Sequence, residues 1–543
     1  MNRLIQIAWL ALLVCLPAAA AAEWREASSR HFVVYSEGSA QSLREFATKL
    51  EKFDKAMRLR IGLSDVDFGP ANRVTVYLVD DRLAVQRLLS GGGRNVAGFY
   101  SGRAEGSVAV VPRGSDVRTI NDLDPATILL HEYSHHIMMQ NASVAYPAWF
   151  REGFAEFNST ARFEKDGSIG FGAAANHRAR GLIGMNPLPI ELLFDPTRRR
   201  LSQPEWEATI YGRGWLLTHF LMFEPSRVGQ LDAYIKALNS GRDSVTAAQA
   251  AFGDLKVLDR QLKDYLDRRM IPYRRYAAAD LAVQPIAIRT LRPGEAAIME
   301  LRMRARIGVR AEEAARVARD LRKAAAPWPN DPAVQAALAE AEFDAGNLDS
   351  AEAAADRALA ADPKNVEALT YRARAAMARA KAGPRGDAAA WKEVRRRIAL
   401  ANRADPNDPE PLILYYQSFT AQGVAPTRNA VEGLLQAFEL APQDKGLRLN
   451  VARQLLADGK AAQARSALIP IAYDPHGGPL GQAVVAIVAT IDRDGARAAL
   501  DAWDSVVRAE ARKGETKKPD QVSEGLPFRQ PSRSSRLALR SRP

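Results

Sequence analysis

One five-residue motif, His131-Glu132-Tyr133-Ser134-His135, constrains this 543-residue chain more than any other feature of its sequence. In a helix, residues four apart lie one turn apart on the same face, so both imidazoles can point at one metal ion. Glu132 is rotated by about 100° from His131, which lets its carboxylate reach a water beside that ion without binding the ion. Chance alone would produce the motif in about one of a couple of hundred random chains of this length.

The residues around the motif favour a helix. Asp124 supplies an N-cap carboxylate and Pro125 occupies the first helical position. Residues 126–139 contain no glycine or proline, and six apolar side chains give the helix buried surface: Ile128, Leu129, Leu130, Ile137, Met138 and Met139. We therefore predict a core helix that carries histidines. His136 lies off the face of the other two, and we expect it to support a ligand from behind or to lie at the surface.

A second segment offers a third ligand, which a catalytic zinc needs in addition to an open position for water. Residues 140–147 are expected to form a loop, and a helix is predicted to begin at Ala148. Glu152 and Glu156 are four apart and share one face of that helix. The alternative is a solvated helix face, but the aromatic neighbours of both carboxylates oppose full exposure: Trp149, Phe150, Phe154 and Phe157.

The two segments together resemble a known family. H-E-x-x-H followed by W-x-x-E-G-x-A-E is similar to the gluzincin metallopeptidases, the clan of thermolysin and aminopeptidase N. The resemblance implies that Glu152, which precedes the glycine, is the third zinc ligand. Sixteen residues separate it from His135, slightly fewer than in the best-known members. The resemblance also implies that Glu156 orients a zinc-binding histidine.

This ligand set predicts one Zn²⁺ held by His131, His135 and Glu152, although another divalent ion stays open. The ion would lower the pKa of a bound water and polarise a carbonyl group. Glu132 is expected to accept the proton of that water as general base and to pass it to the leaving amine. Tyr211 is the candidate donor to the oxyanion, and a core or capping role for it is equally open.

Two further histidines are possible members of the same site. His177, in a loop-like segment, is a weaker alternative as the oxyanion donor. His219 stands among apolar residues and is expected to be a hydrogen-bonded core histidine.

Strand and helix patterns precede the histidine motif. Residues 32–35, 73–79 and 107–111 have the β-branched, alternating content of strands, and residues 40–59 have helical spacing. In gluzincins an edge strand before the zinc helix pairs with the extended substrate. By this resemblance the substrate-binding strand is expected at Ser107, Val108, Ala109, Val110 and Val111. Residues 102–106, GRAEG, replace the G-x-M-E-N segment of aminopeptidases, which favours an endopeptidase, or an unfamiliar specificity, over that aminopeptidase class.

The N-terminus predicts export. Residues 1–22 combine one charge at Arg3, an apolar run and an alanine string, as in a secretory signal peptide. We therefore expect a periplasmic or secreted bacterial protein. The only cysteine, Cys15, lies within this peptide, so the mature chain would have no disulfides; a lipoprotein anchor there is disfavoured by the bulky Val14. No later segment approaches eighteen uninterrupted apolar residues, so we expect no transmembrane segment in the mature chain.

The C-terminal half changes character. Residues 281–308 are predicted to form a β-hairpin junction around the turn Arg292-Pro293-Gly294-Glu295. The chain is then alanine-rich, and Asp-Pro or Ala-Pro pairs recur at 331–332, 362–363, 405–406, 441–442 and 474–475. This pattern resembles tetratricopeptide repeats, with a period of about 34 residues, and about four repeats suffice for a solenoid. Residues 381–387 are a predicted insertion loop. A generic helical bundle is the alternative.

Charge adds little to the functional prediction. The chain carries a formal net charge of +12, part of which lies in a basic tail at residues 512–543, rich in Pro and Ser. We expect this tail to be disordered and solvated, with contact to anionic membrane or cell-wall polymers as the alternative. The chain has no nucleic-acid-binding motif, and we expect no nucleic-acid partner.

These patterns predict an α+β zincin-like catalytic domain, with a mixed sheet and active-site helices, followed by an all-α tetratricopeptide-like solenoid. The boundaries are a signal peptide at 1–22, a catalytic domain at 23–280 (α/β lobe 23–120, helical lobe with the zinc site 121–280), a junction at 281–308, repeats at 309–511 and the tail at 512–543.

Three functions are compatible with this organisation. The first is an exported zinc metallopeptidase acting on peptide or protein substrates, whose repeats bind a protein partner or the substrate. The second is a noncatalytic periplasmic repeat adaptor with a relic protease domain. The third is a zinc hydrolase of nonpeptide amides or esters. The sequence favours an enzyme over a relic, because Glu132 and all three expected ligands are intact.

Overall fold

The computed structural model describes residues 23–67, 69–89, 98–114, 125–178, 182, 188–384, 387–474 and 478–515, with side chains described up to residue 505. The predicted signal peptide at 1–22, the predicted N-cap Asp124 and the tail beyond residue 515 lie outside these ranges. The described residues form a mixed α/β part followed by a series of helices, which is consistent with the predicted helical repeat.

The N-terminal part contains a six-stranded mixed sheet with the strand order β4-β5-β3-β2-β1-β9, and a small three-stranded sheet, β6-β7-β8. Strands β2, β3 and β5 are parallel to one another, whereas β1, β4 and β9 run antiparallel to their neighbours. The strands are β1 (Arg25–Ser28), β2 (Phe32–Ser36), β3 (Val74–Val79), β4 (Phe99–Ser101), β5 (Val108–Pro112), β6 (Arg162–Phe163), β7 (Ile169–Phe171), β8 (Arg274–Tyr276) and β9 (Ala287–Thr290).

Twelve α-helices accompany these strands in the described residues up to 307. They are α1 (Ala40–Ile61), α2 (Arg82–Leu88), α3 (Pro125–Gln140), α4 (Ala148–Ser159), α5 (Glu191–Phe194), α6 (Gln203–Trp206), α7 (Gly214–Phe223), α8 (Gln230–Asn239), α9 (Ser244–Phe252), α10 (Leu255–Leu266), α11 (Pro293–Ala297) and α12 (Met299–Ile307). A π-helical segment, Glu207–Arg213, joins α6 to α7. Short 3₁₀ turns lie at Pro70–Asn72, Asn176–Arg178, Pro196–Arg198, Pro225–Arg227 and Ala278–Leu281.

The large sheet has helices on both faces because side chains alternate along its strands. In β3, Val74 and Val76 belong to the core that contains α1 and α3, whereas Tyr77 and Val79 pack with α2 and α12. The result is a three-layer arrangement in which α3 lies directly on the sheet. Both faces of β3 are buried, as expected for a central strand with parallel neighbours.

The position of the predicted substrate-binding strand is wrong. Residues 107–111 do supply a strand, β5 at Val108–Pro112, but β5 is an inner strand with β3 on one side and β4 on the other. Its backbone groups are therefore engaged on both sides, and it cannot add an extended peptide. Among the described strands the edge on this side is β4, which the sequence does not predict because three residues carry too little alternation to be recognised.

The predicted β-hairpin at 281–308 is also wrong. Strand β9 exists, but it pairs with β1 at the far edge of the large sheet, and the chain then forms α11 and α12. The turn residues begin a helix instead: Pro293 occupies the first turn, and the Glu295 carboxylate accepts a hydrogen bond of 2.9 Å from the backbone N–H of Arg292. Met299, Met303 and Ile307 follow at helical spacing and pack against the sheet.

Ten helices form the described part of the chain from residue 311 onwards. They are α13 (Ala311–Ala325), α14 (Pro332–Asp344), α15 (Leu348–Ala361), α16 (Val366–Ala382), α17 (Ala388–Ala404), α18 (Pro409–Gln422), α19 (Arg428–Leu440), α20 (Lys445–Ala457), α21 (Ala461–Ala472) and α22 (Gly478–Glu515), the last with a break at Gly495. From α14 to α21 each helix packs against the next as four successive pairs. The first helices α14, α16 and α18 also pack side by side.

The recurring proline-containing pairs mark the starts of these helix pairs. Asp331 caps α14 directly, with its carboxylate accepting from the backbone N–H groups of Ala333 and Val334. Asp362, Asp405 and Ala441 instead end the preceding helix, three to four residues before the next pair begins. At the predicted insertion, α16 ends at Ala382 and α17 begins at Ala388, and residues 385 and 386 of the predicted loop lie outside the described residues. Both helices have 17 residues, more than the 13 and 14 residues of α14 and α15.

The last helix overlaps the predicted tail. Helix α22 continues to Glu515, so residues 512–515 are helical rather than disordered. In the described residues, no helix combines the length and the apolar character that crossing a membrane requires.

Candidate metal centre

Helix α3 presents polar side chains in an almost completely buried environment. Every residue from Ile128 to Met139 is buried, including the whole histidine motif. The sheet covers one side of the helix, and α4 packs against another. Polar groups in such a place are costly unless they are paired or hold an ion, so the contacts of each side chain decide what the cluster can do.

Three side chains converge at this site. The Nε2 atoms of His131 and His135 lie 3.2 Å apart, and Oε2 of Glu152 lies 3.4 Å from the first and 3.5 Å from the second. A tetrahedral zinc with ligand bonds of about 2.0–2.1 Å separates its ligand atoms by about 3.3–3.4 Å. The three ligand atoms thus fit three of the four coordination positions of a tetrahedral zinc ion. In the described part of the chain they are also the one His/Cys/Asp/Glu group spaced to hold a metal.

Glu132 lies beside this group, and its carboxylate is isolated. It is 1 % exposed, and neither of its oxygens has a hydrogen-bond partner within the described residues. Burial, together with the negative charges of Glu152 and Glu156, raises the pKa of the Glu132 carboxyl well above its usual range. A buried carboxylate without partners fits a site that receives water or an ion. Burial also lowers the pKa of His135, which keeps the imidazole neutral as a metal ligand requires.

Glu156 supports the centre from behind His131. Its Oε1 lies 3.5 Å from Nδ1 of His131, the ring nitrogen that does not face the other ligands. Oε2 interacts with Nε2 of His177 at 2.7 Å, and Oε1 accepts a hydrogen bond of 3.1 Å from Nε of Arg178. Burial opposes ionisation, but Arg178 and His177 outweigh it and hold the pKa of the Glu156 carboxyl well below its usual range. The carboxylate is therefore charged and oriented towards His131.

A close contact between helices positions Glu152. Helix α4 crosses α7 so tightly that a Cβ atom on Gly153 would lie 2.3 Å from the backbone oxygen of Gly214. A Cβ on Gly214 would likewise lie 2.6 Å from the backbone oxygen of Trp149. The two helix backbones can approach this closely because both contact positions, Gly153 and Gly214, lack a side chain. The glycine of the E-G pair thus has a packing reason that is separate from metal binding, and it sets the height of Glu152 above α3.

Tyr211 lies next to the candidate ligands. Its ring stacks on His131 with centroids 6.2 Å apart and an interplanar angle of 21°. The guanidinium carbon of Arg178 lies 4.7 Å from the centroid of the Tyr211 ring on which it stacks. Burial, followed by the charge of Glu152, raises the pKa of the Tyr211 phenol well above its usual range, so the hydroxyl remains a hydrogen-bond donor. Tyr211 belongs to the π-helical segment, a conformation that is common at functional sites.

The remaining histidines have structural partners. Nδ1 of His219 bonds with the Tyr265 hydroxyl at 2.8 Å, and its Nε2 bonds with the Gly172 carbonyl at 3.0 Å, as expected for a core histidine. His177 is engaged by Glu156, which removes its Nε2 as an oxyanion donor. His136 is buried and its Nδ1 bonds with the Tyr100 hydroxyl on β4, so the surface position considered for it is excluded.

Two residues that contact members of the site were not predicted from the sequence. Arg178 holds Glu156 and stacks on Tyr211, and Tyr100 bonds with His136. Both contacts join segments far apart in the chain. Neither residue belongs to a motif with a defined spacing, so the only available signal for Arg178 was its position next to His177.

Comparison with known proteins bears on the C-terminal helices. Residues 332–375 match the family model described as a tetratricopeptide repeat. This stretch covers α14, α15 and the first part of α16, which confirms the predicted repeat for these residues. Tetratricopeptide repeats suggest a protein-interaction role for this part of the chain. No curated protein matches the chain.

Proposed function

We propose that this chain is a zinc-dependent metallopeptidase of the gluzincin type. The observation that carries the proposal is the triangle of His131, His135 and Glu152, with sides of 3.2, 3.4 and 3.5 Å. Two imidazoles and one carboxylate at these separations suit zinc better than the harder divalent ions, which prefer oxygen ligands. The resemblance of both helices to the gluzincin motifs supports the same assignment.

Bound zinc would supply Lewis acidity, which acidifies water and polarises the carbonyl under attack. In the proposal Glu132 accepts the proton of the attacking water. A general base must take the proton of the water and then release it to the leaving amine, which a carboxylate beside the ion can do. Because no side chain in the described residues competes for its oxygens, Glu132 is free to make this contact.

Two other side chains support the reaction in this proposal. Tyr211 keeps its phenol protonated and donates to the oxyanion that develops on the substrate carbonyl. Glu156 lies 3.5 Å from Nδ1 of His131, and its negative charge favours the tautomer in which Nδ1 carries the proton and Nε2 faces the metal. Arg178 connects the two, because it binds Glu156 and stacks on Tyr211.

The proposed substrate is an internal peptide bond of an extended polypeptide. In the described residues the edge strand nearest α3 is β4, which is antiparallel to β5 and connected to α3 through the Tyr100–His136 contact, and the proposal assigns the substrate backbone to this edge. The absence of a G-x-M-E-N segment in residues 102–106 favours an endopeptidase over an aminopeptidase. The predicted signal peptide supports action outside the cytosol, in the periplasm or the medium.

The test compares the full-length protein, expressed with export, with its Glu132→Gln variant. Zinc content is measured by elemental analysis, and turnover by hydrolysis of an unstructured protein. We expect about one zinc per chain in both proteins and a loss of at least about 10²–10⁴-fold in hydrolysis in the variant, the usual contribution of a general base. Equal hydrolysis by both proteins, or no zinc in the wild type, would refute the proposal.

A noncatalytic adaptor is the second candidate, and the tetratricopeptide match favours it. The same experiment separates the two, because an adaptor with a relic protease domain would hydrolyse nothing in either form. A zinc hydrolase of nonpeptide amides or esters would retain zinc, leave the protein substrate intact and cleave small esters in a Glu132-dependent manner.

A further inference from the structure

The inner layer of the repeats, formed by the first helices of the pairs, contacts another part of the same chain. The loop between β4 and β5, residues 102–107, lies against it. The Glu105 carboxylate pairs with Arg374 of α16 at 3.0 Å, and Arg374 also binds Glu410 of α18. The backbone N–H of Ala104 donates to the Asp444 carboxylate, the N-cap of α20, at 2.9 Å. The loop is therefore bound much as a peptide ligand would be.

Further contacts hold both ends of this β4–β5 loop. The Arg103 guanidinium donates to the backbone oxygens of Arg306 and Ile307, at 3.1 and 2.6 Å. The Gln443 amide donates to the Ser107 hydroxyl at 3.4 Å. Between them Ala104 is buried in the hydrophobic cluster of the last repeats. Burial opposes ionisation of Glu105, but the charge of Arg374 dominates and lowers the pKa of its carboxyl to about 2.

The repeats also contact both helices of the candidate metal centre. Arg151, the neighbour of Glu152 on α4, donates to the backbone oxygen of Pro470 at 3.1 Å and pairs with Asp474 at 3.4 Å. Arg448 of α20 donates to the backbone oxygen of Met139 in the last turn of α3 at 2.7 Å. Both arginine side chains are themselves buried. The repeats thus contact both helices that carry the candidate metal ligands.

The side chains of the centre are closed to solvent. His131, Glu132 and Glu152 are each 1 % exposed, and His135 is 5 % exposed. A polypeptide cannot reach ligand atoms that are buried to this degree. The contacts named above are charged and polar apart from Ala104, and polar interfaces within a chain permit relative motion more readily than large apolar ones.

We propose that the repeat part is a clamp that holds the candidate metal centre closed, with the β4–β5 loop as its internal ligand. Substrate enters only when the clamp releases this loop. The proposal rests on the peptidase function proposed above, but the closed state and its release can be measured without any enzymatic activity.

The chain offers a position at which the clamp can be locked. A Cβ atom on Gly102 would lie 3.5 Å from the Cβ of Gln443, within the range of about 3.5–4.5 Å found in disulfides. Gly102 does not have a left-handed backbone conformation, so cysteine is compatible with its φ angle. The only natural cysteine is Cys15, in the predicted signal peptide. The double variant Gly102→Cys, Gln443→Cys therefore forms one defined disulfide.

The experiment compares the oxidised and the reduced double variant in the full chain. Hydrogen–deuterium exchange of α3 and α4 reports opening, and hydrolysis of an unstructured protein reports function. We expect oxidation to slow exchange in both helices by about tenfold or more, since opening becomes blocked, and to abolish hydrolysis, with both restored by reduction. Because a Cβ on Gly102 would also approach the Tyr100 hydroxyl at 3.0 Å, the reduced form is the matched control.

A second variant tests whether weakening the contact between the loop and the repeats opens the centre. Glu105→Gln removes the charge pair with Arg374 and should speed exchange in α3 and α4. Glu432→Gln, which removes an exposed charge pair with Arg428 far from the loop, should leave exchange unchanged. Unchanged exchange in both the oxidised lock and Glu105→Gln, or full hydrolysis by the oxidised lock, would overturn the clamp. If exchange responds as expected but no form hydrolyses protein, the clamp stands and the peptidase function fails.

Discussion

Two glutamates on one face of α4 have different environments, and the roles proposed for them follow from this difference. Oε2 of Glu152 faces both imidazole Nε2 atoms, whereas the Glu156 carboxylate faces His131 Nδ1, His177 and Arg178. One position thus contributes to the triangle that fits a metal. The other holds a histidine in place.

Replacing these glutamates by glutamine should weaken zinc binding unequally. Glu156→Gln should reduce zinc affinity by about 10–100-fold, the usual effect of losing a group that orients a ligand. Glu152→Gln should reduce it more, because a neutral amide oxygen replaces a charged ligand. Zinc affinity measured by competition with a chromogenic chelator gives the ranking, and Glu45→Gln, at an exposed position of α1, is the control. The reverse ranking would contradict the assignment of the third ligand.

At the scale of residues, the sequence predicted those site residues whose positions are set by the spacing within one helix. His131, Glu132 and His135 are fixed by one helical turn, and Glu152 follows from the resemblance of the second helix. The contacts of Arg178 with Glu156 and of Tyr100 with His136 were not predictable. Each contact joins two separate elements, and no helical or strand spacing in the sequence relates their residues. The contact of His177 with Glu156 likewise joins two segments without a common spacing.

At the scale of elements, the crossing of α4 and α7 fixes the candidate centre in space. Gly153 and Gly214 let the two helix backbones approach, and this places Glu152 over the histidines of α3. The crossing also carries the π-helical segment that presents Tyr211.

Gly153→Ala should destabilise the protein by about 1–3 kcal/mol or more, because the added methyl group meets the Gly214 backbone oxygen at 2.3 Å. Gly433→Ala is the matched control, since Gly433 also lies inside a helix but its Cβ would meet only Leu412 at 3.6 Å. That change should stabilise by about 0.5–1 kcal/mol through helix propensity. Urea unfolding of both variants measures the difference, and similar stabilities would refute the close crossing.

The strands and helices themselves were largely predictable, and their arrangement was not. Residues 74–79 and 108–112 alternate or run apolar as strands do, and residues 40–61 have clear helical spacing. The sheet order depends on β4, a three-residue strand without a recognisable pattern, so β5 was placed at the edge. The residues at Arg292 predict a hairpin but begin a helix, because Pro and Gly occur both in hairpins and at helix starts.

At the scale of the whole molecule, the change from a mixed α/β part to helical repeats was visible in the sequence, but the contact between them was not. Asp331 and the pairs at 362–363, 405–406 and 441–442 mark the repeats through their roles at helix ends. Nothing in the sequence links Glu105 to Arg374, 269 positions away, or Arg151 to Asp474. Such pairs follow from the folded arrangement alone.

The central claim is that His131, His135 and Glu152 hold one zinc ion, and X-ray absorption at the zinc edge of the full-length protein tests it most directly. We expect about one zinc per chain with two imidazole ligands at about 2.0–2.1 Å and the rest oxygen. In His135→Ala, any zinc retained should show one imidazole, whereas His136→Ala should preserve both. A protein that binds no zinc after reconstitution, or zinc whose imidazole ligands persist in His135→Ala, would contradict the account.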